Sequence, residues 1–427
     1  MKMVQLIPSY CVETNPAQQG GHRESSMGNK HICLPFTSEA QYREYVGNPA
    51  QYRQYLTQML SQHPELFPKG TDQGFTFHDS YASVKQDLIV RRIKLQATGA
   101  VFTLRPSFVM PYMIARTDAV EKALYLRQWG VPFDALAYVF GRDPMCWYRA
   151  WLSFGRPSLL GTTVKDPQKV PNDLVADEKL TWVARQQVYV PTTVGGGCFL
   201  GVSVVAAATT AALETGYGEF ARDAQALAPD SQPRSVCTDG WEATRQAWRR
   251  LCPTITLVRC FLHAILKSKD RCTGAWRHQV LERAWKVYQA TTKRQFAQRL
   301  RRLAEWTPTH LSGAVAVMVL KRCRRRTDFT TASDCPQAHR TSNAVDRLLN
   351  YQDRLLYAMR YCHATTASAR LAVRAMALQG NFHPYGSRLR RGQPLRVSPF
   401  HDLNGFQYHP NWLHNLLIAS SMGGLRR

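Results

Sequence analysis

The succession of strand-like and helix-like segments predicts a mixed α/β protein. From about Asp173 the pattern runs through three consecutive β-rich stretches, one helical stretch, and then strand, helix and strand again. Hydrophobic residues make up 44% of the 427 positions and aromatics 11%, which excludes a disordered or collagen-like chain. At roughly 100–200 residues per domain, the length allows two to four domains.

The first 30 residues are polar, with no apolar run of the signal-peptide kind, and read as a flexible lead-in over 1–33, with Met27 as an alternative start. An N-terminal α+β accessory domain is expected over 34–115. Within it, Tyr42/Tyr45 and Tyr52/Tyr55/Leu56 fall at helix-compatible spacings across 38–63, and Gly47-Asn48-Pro49 divides that stretch into two short helices. Residues 89–95 alternate basic and apolar side chains; with 101–104 they predict a hairpin turned at Ala97-Thr98-Gly99.

Residues 116–165 predict three short helices. Asp118 is placed to cap 119–128, which Gly130 stops; a second helix spans about 133–140 and ends at Gly141. Asp143 is placed to cap a third over 144–152, with Pro144 at its first position. The spacing suits a helix-turn-helix module and an ordinary three-helix bundle equally, and the basic balance of the chain favours DNA binding. Trp147, Tyr148 and Arg149 on the third helix are then candidates to meet phosphates and base edges.

The α/β domain is expected over 172–375. Its strands are read at 174–178, 187–194, 198–205, 235–238 and 254–259, and its helices at 211–227, 241–251 and from Cys260 onward. The stretch 188–213 has no charged residue and is long enough to span a bilayer. Pro191, the Gly195-Gly196-Gly197 run and four threonines instead suit two buried strands joined by a glycine turn, so no membrane partner is expected. A basic helical insertion is expected at about 266–335, a polar loop over 327–340, and a strong helix from 341 to about 361. Residues 376–427 read as a basic, aromatic tail.

Lys and Arg total 55 against 30 Asp and Glu, a formal net charge of +25. The excess collects in clusters such as Arg299/Arg301/Arg302 and Arg388/Arg390/Arg391. Phosphates reward such an excess with counterion release, so a polyanion partner is favoured over merely solvated charged faces. The eleven cysteines are scattered, with no CxxC pair, which indicates neither a disulfide framework nor a zinc ribbon and fits a reducing, cytoplasmic compartment.

Three acidic residues stand where this topology can use them. Asp177 lies on the first strand, Asp239 follows it by 62 residues at the end of a later strand, and Asp346 follows by a further 107 near a helix start. Carboxylates from two strand ends and one helix can hold two divalent ions about 3.5–4 Å apart. Such oxygen-rich sites favour Mg²⁺ or Mn²⁺. Two plainer readings stand beside this one: Asp239-Gly240 as a turn, and Asp346 as a first-turn carboxylate favoured by the helix dipole.

Several segments together resemble bacterial insertion-sequence transposases of the DDE/DDD type. They are Ala176-Asp177-Glu178-Lys179, residues 189–201, Thr238-Asp239-Gly240-Trp241-Glu242-Ala243-Thr244, Cys260-Phe261-Leu262-His263 and Arg340-Thr341-Ser342-Asn343-Ala344-Val345-Asp346-Arg347. Upstream, residues 104–112 and 129–142 share the likeness; downstream, Leu403-Asn404-Gly405 and Asn411-Trp412-Leu413 do. The resemblance implies a ribonuclease H-like core with Asp177, Asp239 and Asp346 as catalytic, metal-binding acids for two Mg²⁺ or Mn²⁺ ions. Many relatives carry Glu at the third place, so Asp353 is the fallback there, and Glu178 is the fallback for the first acid. Cys260 and His263 match a C-x2-H signature of several such families. One such pair is short of the four ligands of a structural zinc, so Cys260 is expected to be packed and His263 to touch DNA or the active site.

Arg340, Asn343 and Arg347 are candidates to hold a target or transferred-strand phosphate, or else serve a helix start and its charged surface. Trp241 is read as core. The function implied is a DNA transposase working on double-stranded DNA, the element ends and the target. It would act as a homodimer or higher assembly on DNA, in the nucleoid-associated cytoplasm. A catalytically silent DNA-binding protein and a ribonuclease H-like nuclease without strand transfer are the rivals.

Overall fold

Two mixed sheets and the helices around them organise the chain, in a computed structural model that describes residues 30–261, 263, 275–362, 365–391 and 396–425. The expected lead-in therefore lies outside the described residues up to position 29. Its end is no lead-in. His31–Leu34 forms strand β1, with Ile32, Cys33 and Leu34 fully buried.

Helices α1 (Glu39–Gly47) and α2 (Pro49–Gln62) divide at Asn48, whose side chain accepts from Gln51 N while Pro49 opens the second helix. Their Tyr42, Tyr52 and Leu56 are buried against the sheet formed by β1, β2 (Phe75–Ser83), β3 (Leu88–Leu95) and β4 (Val101–Pro106). The strand order is β1-β4-β3-β2, with β1 parallel to β4 and the other pairs antiparallel. The expected hairpin is β3–β4, and Gly99 takes the positive φ of 67° at its turn. Strand β2 was not anticipated because most of it is exposed, which leaves little apolar alternation to read.

Helices α3 (Thr117–Gln128), α4 (Phe133–Phe140) and α5 (Pro144–Ser153) stand where expected. Asp143 caps α5 by accepting from Met145 N. Asp118 does not cap α3; it sits in the first turn, with Oδ1 3.1 Å from His414 Nε2. A short helix α6 (Leu159–Thr163) leads to the second sheet.

That sheet contains β5 (Asp173–Val183), β6 (Gln186–Gly195), β7 (Cys198–Val202), β8 (Ser235–Thr238) and β9 (Thr256–Arg259). Its order is β7-β6-β5-β8-β9: an antiparallel meander, then two strands parallel to β5. The long uncharged stretch is β6 and β7, joined at Gly196 and Gly197, both with positive φ. Among the described residues no helix is long and apolar enough to cross a membrane.

Both faces of this sheet are covered, and the two-residue period of β5 sorts side chains between them. Leu174 and Ala176 join Leu200 and Val236 in a core closed by Leu213, Tyr217 and Phe220 of α7 (Thr210–Leu227) and Trp248 of α8 (Glu242–Leu251). Val175, Phe199, Cys237 and Val258 face the other way. They meet Val345 and Leu349 of one helix, here α13 (Asn343–Ala358), and Ala369, Val373 and Met376 of the next, α14 (Thr366–Phe382).

Among the described residues between β9 and α13 stand α9 (Ala275–Tyr288), α10 (Lys293–His310), α11 (Gly313–Arg324) and α12 (Arg326–Asp334). They have their own core around Phe261, Phe296, Leu300 and Phe329. The helical character expected of this stretch is present over its described part, while 264–274 lie outside it. The polar loop expected at 327–340 is largely replaced by α12. Phe329 and Ala332 are buried there, and Asp328 pairs with Arg259 at 3.2 Å, contacts that the polar composition concealed.

The end of the chain is not a tail. Helices α15 (Ser387–Arg390), α16 (Pro399–Asn404) and α17 (Trp412–Ala419) follow, and Leu413, Leu416, Leu417 and Ile418 are buried in the main core. Ser421 Oγ accepts from Cys33 N at 3.0 Å and donates to Leu66 O at 2.7 Å, tying this segment to β1. Asn404 ties it to α6 through Thr163 O and Lys165 N. Among the described cysteines none is in a disulfide.

Candidate metal centre

Strand β5 delivers the first acid by alternation alone. Asp177 points to the face of Val175, toward α13, whereas Glu178 points to the opposite face. There Glu178 Oε1 accepts from Tyr217 Oη at 2.6 Å and from Thr244 Oγ1 at 2.5 Å. Glu178 is therefore no substitute for Asp177; it ties β5 to α7 and α8. Burial pushes its carboxyl up to about 7 against the lowering effect of those two hydroxyls.

Asp239 comes from the next parallel strand. The β5–β8 register pairs Val175 with Cys237; β8 ends at Thr238 while β5 runs on, so Asp239, just past the end of β8, comes beside Asp177 in the middle of β5. Gly240 turns the chain with φ 91°, and Asp239 Oδ1 accepts from Trp241 N at 2.7 Å. A side chain at 240 would collide with Arg259, whose atoms lie within 3.0 Å of an added Cβ. Trp241, read as core, is instead 42% exposed beside Tyr189, because α8 starts at the rim of the sheet.

Asp346 sits in the first turn of α13, and Asp177, His263 and Asp346 each bring one ligand atom to within 4.8 Å of the others. Asp239 is outside that trio but close enough for its charge to act on Asp177. Burial, then the charges of Asp239 and Asp346, push the Asp177 carboxyl up to about 6. Burial raises Asp346 too. Two carboxylates and an imidazole drawn together in a partly buried setting suit a divalent cation, which removes the repulsion between the carboxylates. The donor set therefore fits the ion that the resemblance implies. Asp353 takes no part: it pairs with Lys179.

Cys260 is fully buried at the end of β9. Its sulfur receives Ser342 N and Ser342 Oγ, each at 3.3 Å, and His263 N at 3.5 Å. Hydrogen bonding from Cys237, with His263 and Ser342, holds the Cys260 thiol low; the hydrogen bond to Cys260 in turn holds His263 high. Ser342 Oγ also lies 2.9 Å from His263 Nδ1 and 3.3 Å from Asp346 Oδ2. Ser342 was not singled out from sequence. The signal was present only as its place four residues before Asp346.

The expected DNA-contacting residues divide by exposure. Arg149, Asn343 and Arg347 are exposed, the last two one turn apart on α13. Arg340 is exposed but donates to Tyr288 O at 3.0 Å and lies over the Tyr288 ring, which commits it to the insertion. Tyr148 is half-buried against Phe133 and Trp151. Trp147 is only 1% exposed and donates Nε1–H to Gly141 O at 2.9 Å; its indole is core and reaches no groove. No protein-family model matches the chain, and no match was found among the curated proteins.

Proposed function

We propose that this protein is a DNA transposase with a ribonuclease H-like core, which hydrolyses the ends of its element and joins the freed 3′-hydroxyl to target DNA. The observation that carries this reading is the convergence of Asp177, His263 and Asp346 within 4.8 Å, with Asp239 beside Asp177 on the adjoining strand end. The sheet supports it as well: three antiparallel strands, then two parallel ones reached through helices, is the order expected of such a core. The three helices over 117–153 stand as its helix-turn-helix, with Arg149 exposed to meet phosphate.

Asp177 and Asp346 would hold divalent ions, with Asp239 completing the set. Such ions, when bound, supply a more acidic nucleophile and neutralise charge on the leaving oxygen. Asn343 and Arg347 present an amide and a guanidinium beside Asp346, placed to orient a phosphodiester. Glu178, fixed by Tyr217 and Thr244, holds the segment of β5 from which Asp177 projects. In the first reaction water forms a bond to phosphorus as the bond to the 3′-oxygen breaks. In the second, that 3′-oxygen forms a bond to a target phosphorus and displaces a target 3′-oxygen.

Labelled DNA from the flanks of the coding region, incubated with Mg²⁺ or Mn²⁺ and a plasmid target, tests this. Wild type is expected to give joined product, and Asp239→Asn none, with unchanged DNA binding. Binding without cleavage in both would favour a silent DNA-binding protein; cleavage without joining would favour a nuclease; equal activity in both would remove Asp239 from the centre.

A further inference from the structure

The C-x2-H pair does two different jobs here. Cys260 is spent on hydrogen bonds: it is buried, and its sulfur accepts from Ser342 and from the His263 backbone. His263, one turn on, is left with its ring among carboxylates. A ring nitrogen lies within 4.8 Å of ligand oxygens of Asp177 and Asp346.

One nitrogen of that ring is held by a buried hydroxyl. Ser342 Oγ is 2.9 Å from Nδ1 and reaches Asp346 Oδ2 at 3.3 Å, so one hydroxyl spans two members of the trio. Ser342 is itself fully buried and its N–H is held by Cys260 Sγ. A buried polar group that holds one imidazole nitrogen, leaving the other to ligate, is the usual outer-shell arrangement of metal-bound histidine. By contrast, a histidine placed to meet DNA would need its ring turned to open surface.

We infer that His263 is a metal ligand, so that the centre is a mixed site of two carboxylates and one imidazole that takes Mn²⁺ in preference to Mg²⁺. Carboxylate and water ligands suit both ions, but a nitrogen donor favours a transition metal over Mg²⁺. Histidine ligation rests on reading Asp177 and Asp346 as metal ligands, and it holds whether or not the protein joins strands.

The test uses the full chain, stripped of metal and then titrated with Mn²⁺ in the absence of DNA. Electron spin-echo modulation of the bound Mn²⁺ is expected to show a directly coordinated ¹⁴N. Histidine-selective ¹⁵N labelling of the wild type should replace that pattern, a result that needs no substitution. His263→Gln should abolish it. Competition titration should give wild type a preference for Mn²⁺ over Mg²⁺ of about tenfold or more, which His263→Gln lowers several-fold. Bound Mn²⁺ without nitrogen modulation, a pattern that survives in His263→Gln, an unmoved metal preference, or no Mn²⁺ binding at all would each overturn histidine ligation. Nitrogen-ligated Mn²⁺ in a protein that never joins strands would overturn the transposase alone.

Discussion

Asp177 and Glu178 are neighbours in sequence and opposites in role, because a strand sends successive side chains to opposite faces. The consequence is measurable in their titration. A carboxyl raised from its ordinary value near 4 to about 6 keeps its proton in the folded chain where the unfolded chain has lost it. Stability from Asp177 is therefore full below about pH 4 and is lost as pH rises to about 6. Asp177→Asn removes that loss. The metal-free variant should exceed wild type by up to ~3 kcal/mol in urea unfolding at pH 8, with the difference shrinking toward pH 4. Adding Mn²⁺ should stabilise wild type and leave the variant unmoved. Glu178→Gln should keep divalent binding intact, since the amide oxygen can still accept from Tyr217 and Thr244.

At the scale of elements, α5 shows how one helix can carry a core residue and a surface residue on opposite faces of a single turn. Trp147 is sealed against Gly141 and Phe140, whereas Arg149 faces outward. Trp147→Ala should cost about 3–5 kcal/mol in denaturant unfolding without changing the salt dependence of DNA binding by the protein that remains folded. Arg149→Ala should leave stability near wild type and lower the slope of log K against log salt by about one. A reversal of these two effects would remove α5 from the proposed DNA interface. The placement of α3, α4 and α5 was legible from Gly130, Gly141, Asp143 and Pro144, which act locally. Which side of α5 faces water was not, because α14 decides it: Trp151 Nε1 donates to Gln379 at 3.0 Å.

Across the whole molecule, the first and last described segments are one structural unit. Strand β1 and the chain beyond α17 are joined by Ser421, across a separation of 388 residues. Burial of Leu413, Leu416, Leu417 and Ile418 contributes about 1.5–3 kcal/mol each, which together rivals the ~5–15 kcal/mol net stability of a typical domain. Deleting residues 412–427 should thus abolish the cooperative urea transition. A truncated chain that unfolds cooperatively near the wild-type midpoint would return this segment to the status of an appended tail.

What could be read from the chain alone is whatever short range dictates. The split at Asn48, the hairpin at Gly99, the meander of β5 to β7 and the places of Asp177, Asp239 and Asp346 on their elements all follow from local propensity, capping and period. Contacts distant in sequence settled the rest. Strand β1 is four residues long and acquires its meaning only by pairing with β4. Helix α12 forms where Phe329 and Asp328 find partners on β9 and its neighbours. His263 is held beside the acids by Ser342, 79 residues later, whose Oγ lies at its Nδ1 and reaches Asp346. A sequence pattern reports which face of an element is apolar; the partner that covers that face, and with it the company each polar side chain keeps, is set by packing between segments hundreds of residues apart.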